Sequence, residues 1–296
     1  MSLETMIRRR NWARRALGLI LLLGWGGECL SASPLRLVGS DLLGPGIVSA
    51  VKEFAEEREI EIKVDLQGSL RGRHELEGGR AEVALISASP GDAALSAEYS
   101  WDPLAYHVVF LWVSRELLLP QLSYDQIAEI FSSESTGARK RWRDFGAQGE
   151  GGSRLAMPGK GDEASGLSLG LLQHKLGRPM HHQFDPDELG EDAQDIQGDI
   201  LIRAFPPLPD DDWETVAIAL KQTGRAYQPT PINLRRGDYP LNWPLRLVFR
   251  RNDVESLYPL LRFLLSDEIA QKLREVGMVP LPEAVRRERI FDLERL

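Results

Sequence analysis

The chain has 296 residues, a formal net charge of −8 and a single cysteine, Cys29. The acidic balance excludes a general nucleic-acid-binding surface, because such surfaces are strongly basic. One cysteine also excludes a disulfide within the chain, so packing alone must hold the core. The length suits either one large domain or two lobes of ordinary size.

The first 32 residues have the pattern of an export signal. Five arginines between residues 8 and 15 precede an apolar run over residues 16–25, and small residues follow at 31–33. This pattern predicts cleavage near Ser33 and a periplasmic or extracytoplasmic mature protein. A membrane anchor is the alternative, although the apolar run is about half the roughly 20 residues that span a bilayer.

Cys29 raises the further alternative of a lipoprotein, in which this cysteine would carry the lipid. Glu28 stands before it, where a small residue is expected. Lipid anchoring at Cys29 is therefore less favoured than plain cleavage.

The sequence after the signal predicts strands that alternate with helices. Apolar residues recur at helical spacing between residues 47 and 54 and alternate with charged residues between 60 and 66. The predicted order is a strand over 35–38, a turn at 39–41, a helix to 57, a strand over 60–66, a short helix over 71–79 and a strand over 81–86. Each of these three strands leads into a loop that carries a serine.

The second part of the chain continues the alternation. The apolar run over 106–113 predicts one strand that is covered on both faces. Further predictions are a helix over 124–131, surface loops over 132–153, a brief strand over 154–157, a Gly-rich loop over 158–165, helices over 166–176 and 192–202, strands over 215–220 and 245–250, and helices over 254–276. This order predicts an α/β protein with mostly parallel sheets, which bind ligands at the carboxyl ends of their strands.

Several segments carry a resemblance to a known family. They are the turn at 39–40, the Gly-Ser turn at 67–72, and the segments 81–87, 122–132, 238–241 and 265–282. In this order and spacing they resemble the phosphate-binding proteins of bacterial ABC importers, over residues 34–283.

The resemblance implies a type 2 periplasmic-binding-protein fold with two lobes that close on a small oxyanion. Lobe 1 would comprise residues 34–113 and 243–296, and lobe 2 residues 114–242. It also implies a non-enzymatic transport protein that delivers its ligand to an ABC permease in the inner membrane. No cofactor or metal is expected, and we expect a monomer.

The resemblance assigns ligand contacts to Ser40, Ser69, Ser87 and Ser165, and the turn that begins at Ser165 continues with Gly166. Hydroxyl groups at helix starts can bind an oxyanion together with the unpaired backbone N–H groups there. The alternative is that each serine only caps a helix.

The chain departs from the family pattern in the third loop. The family has an arginine four residues before a Ser-Gly-Thr turn, whereas this chain has Gly161 and Leu167 there, with Lys160 as the nearest cation. Asp41 could accept a ligand proton or cap the first helix, and Arg71 could supply positive charge or lie on the surface. The ligand is thus expected to be phosphate or a related oxyanion, and a sensor or interaction module without phosphate affinity is the alternative.

Two further patterns compete with this interpretation. Residues 166–170 match the G-x-S-x-G elbow of hydrolases, but no strand leads into them and no histidine follows after residue 182. The histidines and carboxylates between 174 and 188 could suggest a metal site, yet the segment is loop-like. Neither pattern is expected to be functional, and the acidic run at 210–212 lacks the spacing of a calcium loop.

Overall fold

The computed structural model of the protein describes residues 34–87, 95–131, 140–156, 158, 165–177 and 198–295. Residues 165–167 are described by their backbone only. The predicted export signal with Cys29, and the loop residue Lys160, lie outside the described residues, so those assignments stay predictions. No helix in the described ranges is both long and apolar enough to span a membrane.

The larger sheet has six strands, which are β1 (Leu35–Gly39), β2 (Ile62–Asp65), β3 (Val83–Ser87), β4 (Asp102–Val108), β11 (Asn242–Phe249) and β12 (Met278–Pro280). Their order across the sheet is β12-β4-β11-β3-β1-β2. β1 pairs in parallel with β2 and with β3, whereas the other three ladders are antiparallel. The parallel part follows from the two strand-helix-strand units at the start of the chain.

Helices cover both faces of this sheet. They are α1 (Gly44–Glu57), α2 (Ser69–Glu77), α6 (Val254–Leu264), α7 (Asp267–Glu275) and α8 (Glu283–Leu293). The apolar stripe of α1, with Ile47, Val51 and Phe54, packs into one core together with α6 and α7. Burial of each such side chain stabilises the fold by about 2 kcal/mol. Leu76 of α2 lies in a separate core on the opposite face of the sheet.

Two three-stranded sheets hold the middle of the chain, in the orders β7-β5-β8 and β10-β9-β6. The strands are β5 (Phe110–Ser114), β6 (Gln121–Ser123), β7 (Ile200–Arg203), β8 (Trp213–Thr215), β9 (Ala217–Ala219) and β10 (Ala226–Tyr227). The accompanying helices are α3 (Tyr124–Phe131), α4 (Ser165–Leu176) and α5 (Pro231–Arg236). A third core, which includes the fully buried Trp142 and Tyr239, joins them.

The chain passes between the large sheet and the small sheets at two neighbouring points. β4 ends at Val108 and β5 begins at Phe110, and the N–H of Val109 donates to the carbonyl of Leu241 at 3.0 Å. The hydroxyl of Tyr239 donates to the carbonyl of Val109 at 2.8 Å. The single strand predicted over 106–113 is therefore two strands in different sheets, and the apolar run is continuous because both are buried.

The sheets are mixed, which corrects the prediction of mostly parallel sheets. Parallel pairing is confined to β2-β1-β3 and to β6-β9. In the large sheet, β11 is antiparallel to β3 and β4 because the chain leaves the sheet after β4 and returns along β11 in the opposite direction.

Some of the remaining predicted elements agree with the structure and others do not. The helix predicted over 124–131 is confirmed, and the helix predicted over 166–176 begins one residue earlier. The helix predicted over 192–202 is wrong for its described end, because residues 200–203 form β7, whose side chains alternate between buried and half-buried. The strand predicted over 154–157 is reduced to one bridge between Arg141 and Leu155, and residues 215–220 contribute to two strands.

Candidate functional site

Three loops meet at one edge of the large sheet, where the parallel strands β1, β2 and β3 end. The N–H of Ser40 donates to the carbonyl of Leu85 at 2.8 Å, which ties the first loop to β3. The N–H of Gly68 donates to the carbonyl of Gly39 at 2.8 Å, which ties the second loop to the first. The loop serines predicted from sequence are thus brought to the same edge.

Two glycines allow this close approach. Gly39 has φ +145°, and a Cβ there would lie 2.1 Å from the carbonyl oxygen of Leu85. A Cβ on Gly72 of α2 would lie 2.8 Å from the Cα of Gly39. The first turn of α2 lies directly over the end of β1, and the approach is so close that neither position has room for a side chain.

Ser69 connects the second loop to the third. It is the first residue of α2, and its Oγ accepts a hydrogen bond from the N–H of Ser87 at 2.9 Å. A serine hydroxyl that accepts one bond still has a proton to donate. Ser69 can therefore present an O–H donor at this edge, beside the first-turn N–H groups of α2 that have no partner within the helix.

Ser40 and Asp41 occupy the short helical turn that precedes α1. Ser40 is buried, and its Oγ accepts from the N–H of Leu42 at 3.3 Å, so it caps the turn Asp41–Leu43. Asp41 is exposed in that turn and does not hold the capping position. Asp41 therefore does not cap the first helix: Ser40 caps the preceding turn, and α1 itself begins after Leu43 without a side-chain cap.

Arg71 lies close to the edge but is directed to a neighbouring carboxylate. Its side chain is 56% exposed, and its Nη2 lies 3.6 Å from Oδ2 of Asp65 at the end of β2. It also donates to the side chain of Gln67. Arg36 shares the same carboxylate oxygen at 3.8 Å. Much of the charge that Arg71 could offer an anion is therefore balanced locally.

The second set of predicted residues is described only in part. Ser165 and Gly166 are the first two residues of α4, so a helix start does lie there. Ser168 is the fourth residue of the same helix and fully buried, and its Oγ has no hydrogen-bond partner among the described residues. It does not stand on a strand-to-helix turn, so the geometry of a hydrolase elbow is not formed.

The histidine- and carboxylate-rich segment falls mostly outside the described residues. Of its histidines only His174, exposed near the end of α4, is described. Among the side chains that the structure describes, no three potential ligands form a metal-binding group.

The structure adds a pair of residues that sequence reasoning missed. His107 on β4 and Trp243 on β11 are directly opposite in the antiparallel register, and both are buried. Among the described residues, no hydrogen-bond partner is found for either ring nitrogen of His107 or for the Nε1 of Trp243. Burial lowers the pKa of His107 to about 4. The signal available in sequence was one histidine inside an otherwise apolar strand.

Comparison with known proteins supports the fold. The chain matches no protein-family profile and no curated protein in sequence. Among solved structures it is similar to a possible phosphate-binding protein from Planctomyces limnophilus, with 16% identity, a TM-score of 0.60, and coverage of 88% of this chain and 99% of that one. It is also similar to PstS from Borrelia burgdorferi, with 16% identity, a TM-score of 0.58, and coverage of 85% and 100%.

An ABC-type phosphate transport receptor from Vibrio cholerae is a further neighbour, with 15% identity, a TM-score of 0.55, and coverage of 84% and 100%. At such identities the similarity concerns the fold alone. The chain therefore has the two-lobed α/β fold of a type 2 periplasmic binding protein.

Proposed function

We propose that the chain is an extracytoplasmic solute-binding protein that captures phosphate or a related oxyanion between two lobes and delivers it to an ABC permease. The two lobes would be residues 34–113 with 243–296, and residues 114–242. The passage of the chain between the sheets at Val109 and Leu241 supports two such lobes, with the first boundary at Val109 instead of residue 113, because β5 pairs within a small sheet.

The observation that carries the proposal is the hydrogen-bonded edge formed by the first three loops. The Oγ of Ser69 accepts a hydrogen bond from the N–H of Ser87, and its own proton remains available for donation. The first turn of α2 adds N–H groups that have no partner within the helix. Such a cluster of short donors suits an oxyanion, which the acidic chain as a whole would repel. The start of α4 at Ser165 is the corresponding feature in the other lobe.

The test is calorimetric titration of the purified protein with phosphate, sulfate, molybdate and tungstate. We expect at least one of them to bind, and Ser69→Ala to weaken that binding about tenfold, since one hydrogen bond to a charged ligand is lost. Ser256→Ala is the matched control. Ser256 lies in the first turn of α6, where its hydroxyl donates to the carbonyl of Asp253, and α6 follows the end of β11 that pairs with the start of β3, at the opposite edge of the sheet. An absence of heat from all four anions at millimolar concentration would contradict the proposal.

A sensor or interaction module without phosphate affinity is the second candidate. The ion pair between Arg71 and Asp65 favours it, because this pair neutralises the cation nearest to the three loops. The exposed carboxylate of Asp41 beside them also opposes a doubly charged anion. The same titration separates the two candidates, since the second predicts no heat.

A further inference from the structure

A cavity of about 430 Å³ lies beside β4 and β11, the strands at whose ends the chain passes between the sheets. β4 and β11 contribute Tyr106 and Arg246 to its wall, and Lys175 comes from the end of α4. The last turn of α5 contributes Arg235 and Arg236. Of the predicted site residues that the structure describes, none lines this cavity, so its lining differs from that of the edge at Ser69.

The charge of this cavity is opposite to that of the protein. Its lining includes four cations, and the described part of its wall contains no aspartate or glutamate. The whole chain has a net charge of −8. A local excess of positive charge in an acidic protein attracts anions to this place and not to the rest of the surface.

Lys175 is half-buried without a carboxylate partner in the described structure. Its Nζ lies 5.0 Å from the ring centroid of Trp243, and burial lowers its pKa. The indole face compensates part of the lost hydration, but it accepts none of the ammonium hydrogen bonds. Its donors are therefore available to an anion in the cavity.

Arg246 is also held in place with donor capacity to spare. Its Nη1 donates to the carbonyl of Trp101 at 2.9 Å, and no described residue accepts a hydrogen bond from its buried Nε. The carboxylate whose charge acts on Arg246 is Asp102. Both oxygens of Asp102 have other partners: Oδ2 accepts from the hydroxyl of Ser100 at 2.7 Å, and Oδ1 lies 3.4 Å from Nη2 of Arg289. Placing a cation in such an environment costs free energy that an anion would offset.

The remaining wall is largely apolar and aromatic. Pro103 and Pro244 line it, and the hydroxyl of Tyr124 is already used as a donor to the carbonyl of Pro240 at 3.1 Å. The hydroxyl of Tyr106 forms no hydrogen bond with a described residue and is available. The cavity volume falls within the roughly 300–1,000 Å³ of small-molecule sites. The cavity is therefore larger than a single inorganic oxyanion needs.

We infer that this cavity binds an organic anion with at least two negative charges, held by Lys175 and Arg246 inside and by Arg235 and Arg236 at the exposed rim. The apolar wall contacts the carbon skeleton, and Tyr106 donates a further hydrogen bond. The cavity shares no described lining residue with the predicted oxyanion edge, so binding here does not require Ser69.

Calorimetric titration of the full chain tests this inference, with citrate and fructose 1,6-bisphosphate as probes and acetate as a singly charged comparison. We expect at least one probe to bind at millimolar concentration or tighter, and at least tenfold tighter than acetate. Lys175→Met and Arg246→Met should each weaken it at least tenfold. Lys272→Met, which removes an exposed lysine paired with Glu275 at 3.2 Å, should leave binding unchanged.

Ser69→Ala separates the two sites, because it should bind the organic probe as the wild type does even if all inorganic oxyanion binding is absent. A second measurement does not depend on whether the variants fold. A saturating probe should slow chemical acetylation of Lys175 at least fivefold relative to Lys272, as followed by mass spectrometry. The inference is overturned if neither probe binds, if acetate binds equally well, or if Lys175 is not protected.

Discussion

Replacing His107 by leucine should make the protein more stable and less sensitive to acid. His107 is 2% exposed, neither of its ring nitrogens is hydrogen-bonded to a residue in the described part of the chain, and burial lowers its pKa to about 4. An unfolded histidine has a pKa of about 6.5, so the unfolded chain binds the proton more readily than the folded one. The stability associated with neutral His107 is complete above pH 6.5 and is lost as the pH falls towards 4.

The size of the effect follows from these two pKa values. Between pH 7.5 and pH 5, protonation of the unfolded state should cost the wild type about 2 kcal/mol of unfolding free energy through this one residue. His107→Leu removes that dependence. It also removes two buried polar atoms without partners, which should stabilise the variant by about 1–3 kcal/mol at pH 7.5.

The assay is urea unfolding at pH 7.5 and pH 5.0, followed by tryptophan fluorescence, for the wild type, His107→Leu and the control His74→Leu. His74 is exposed on α2, so its replacement should leave the difference between the two pH values close to that of the wild type. If His107→Leu keeps the full wild-type difference, or is less stable than the wild type at both pH values, His107 is not a neutral residue without hydrogen bonds in the folded protein.

Three further predictions concern single side chains. Gly39→Ala should destabilise the protein by more than about 3 kcal/mol, since the new Cβ would lie 2.1 Å from a backbone oxygen; unfolding near the wild-type urea midpoint would contradict this. Gly170→Ala should stabilise it by about 0.5–1 kcal/mol, because Gly170 is an exposed residue inside α4 and a methyl group there would meet no atom within 4 Å; a lower melting temperature would argue against an intact helix there. Trp142→Phe should cost about 1–3 kcal/mol in urea unfolding, since the Nε1 of Trp142 donates to the buried carboxylate of Asp199 at 2.9 Å; an unchanged midpoint would show that this bond contributes nothing.

Local patterns in the sequence determined much of the large sheet and its helices. The apolar stripe of α1 and the alternation that predicts β2 depend only on neighbouring residues, and both correspond to elements of the structure. The helix α3 was predicted with its observed ends. β10, β12 and α5 were missed, because their two to six residues carry no apolar periodicity of the kind that marks β2 or α1.

The predicted site was determined from sequence only as a set of serines at strand ends. That Ser40 caps a turn while Ser69 accepts from Ser87 depends on contacts between residues far apart in the chain. The pairing of Arg71 with Asp65 depends on where α2 lies relative to β2.

The division of the apolar run at Val109, and the antiparallel return of β11, depended on tertiary structure alone. Burial makes both strands equally apolar, so their composition does not show that they belong to different sheets. Only the antiparallel register of β4 and β11 places His107 opposite Trp243. The cationic cavity likewise joins Lys175, Arg235, Arg236 and Arg246 from three separate elements, and their charges have no common pattern until the chain is folded.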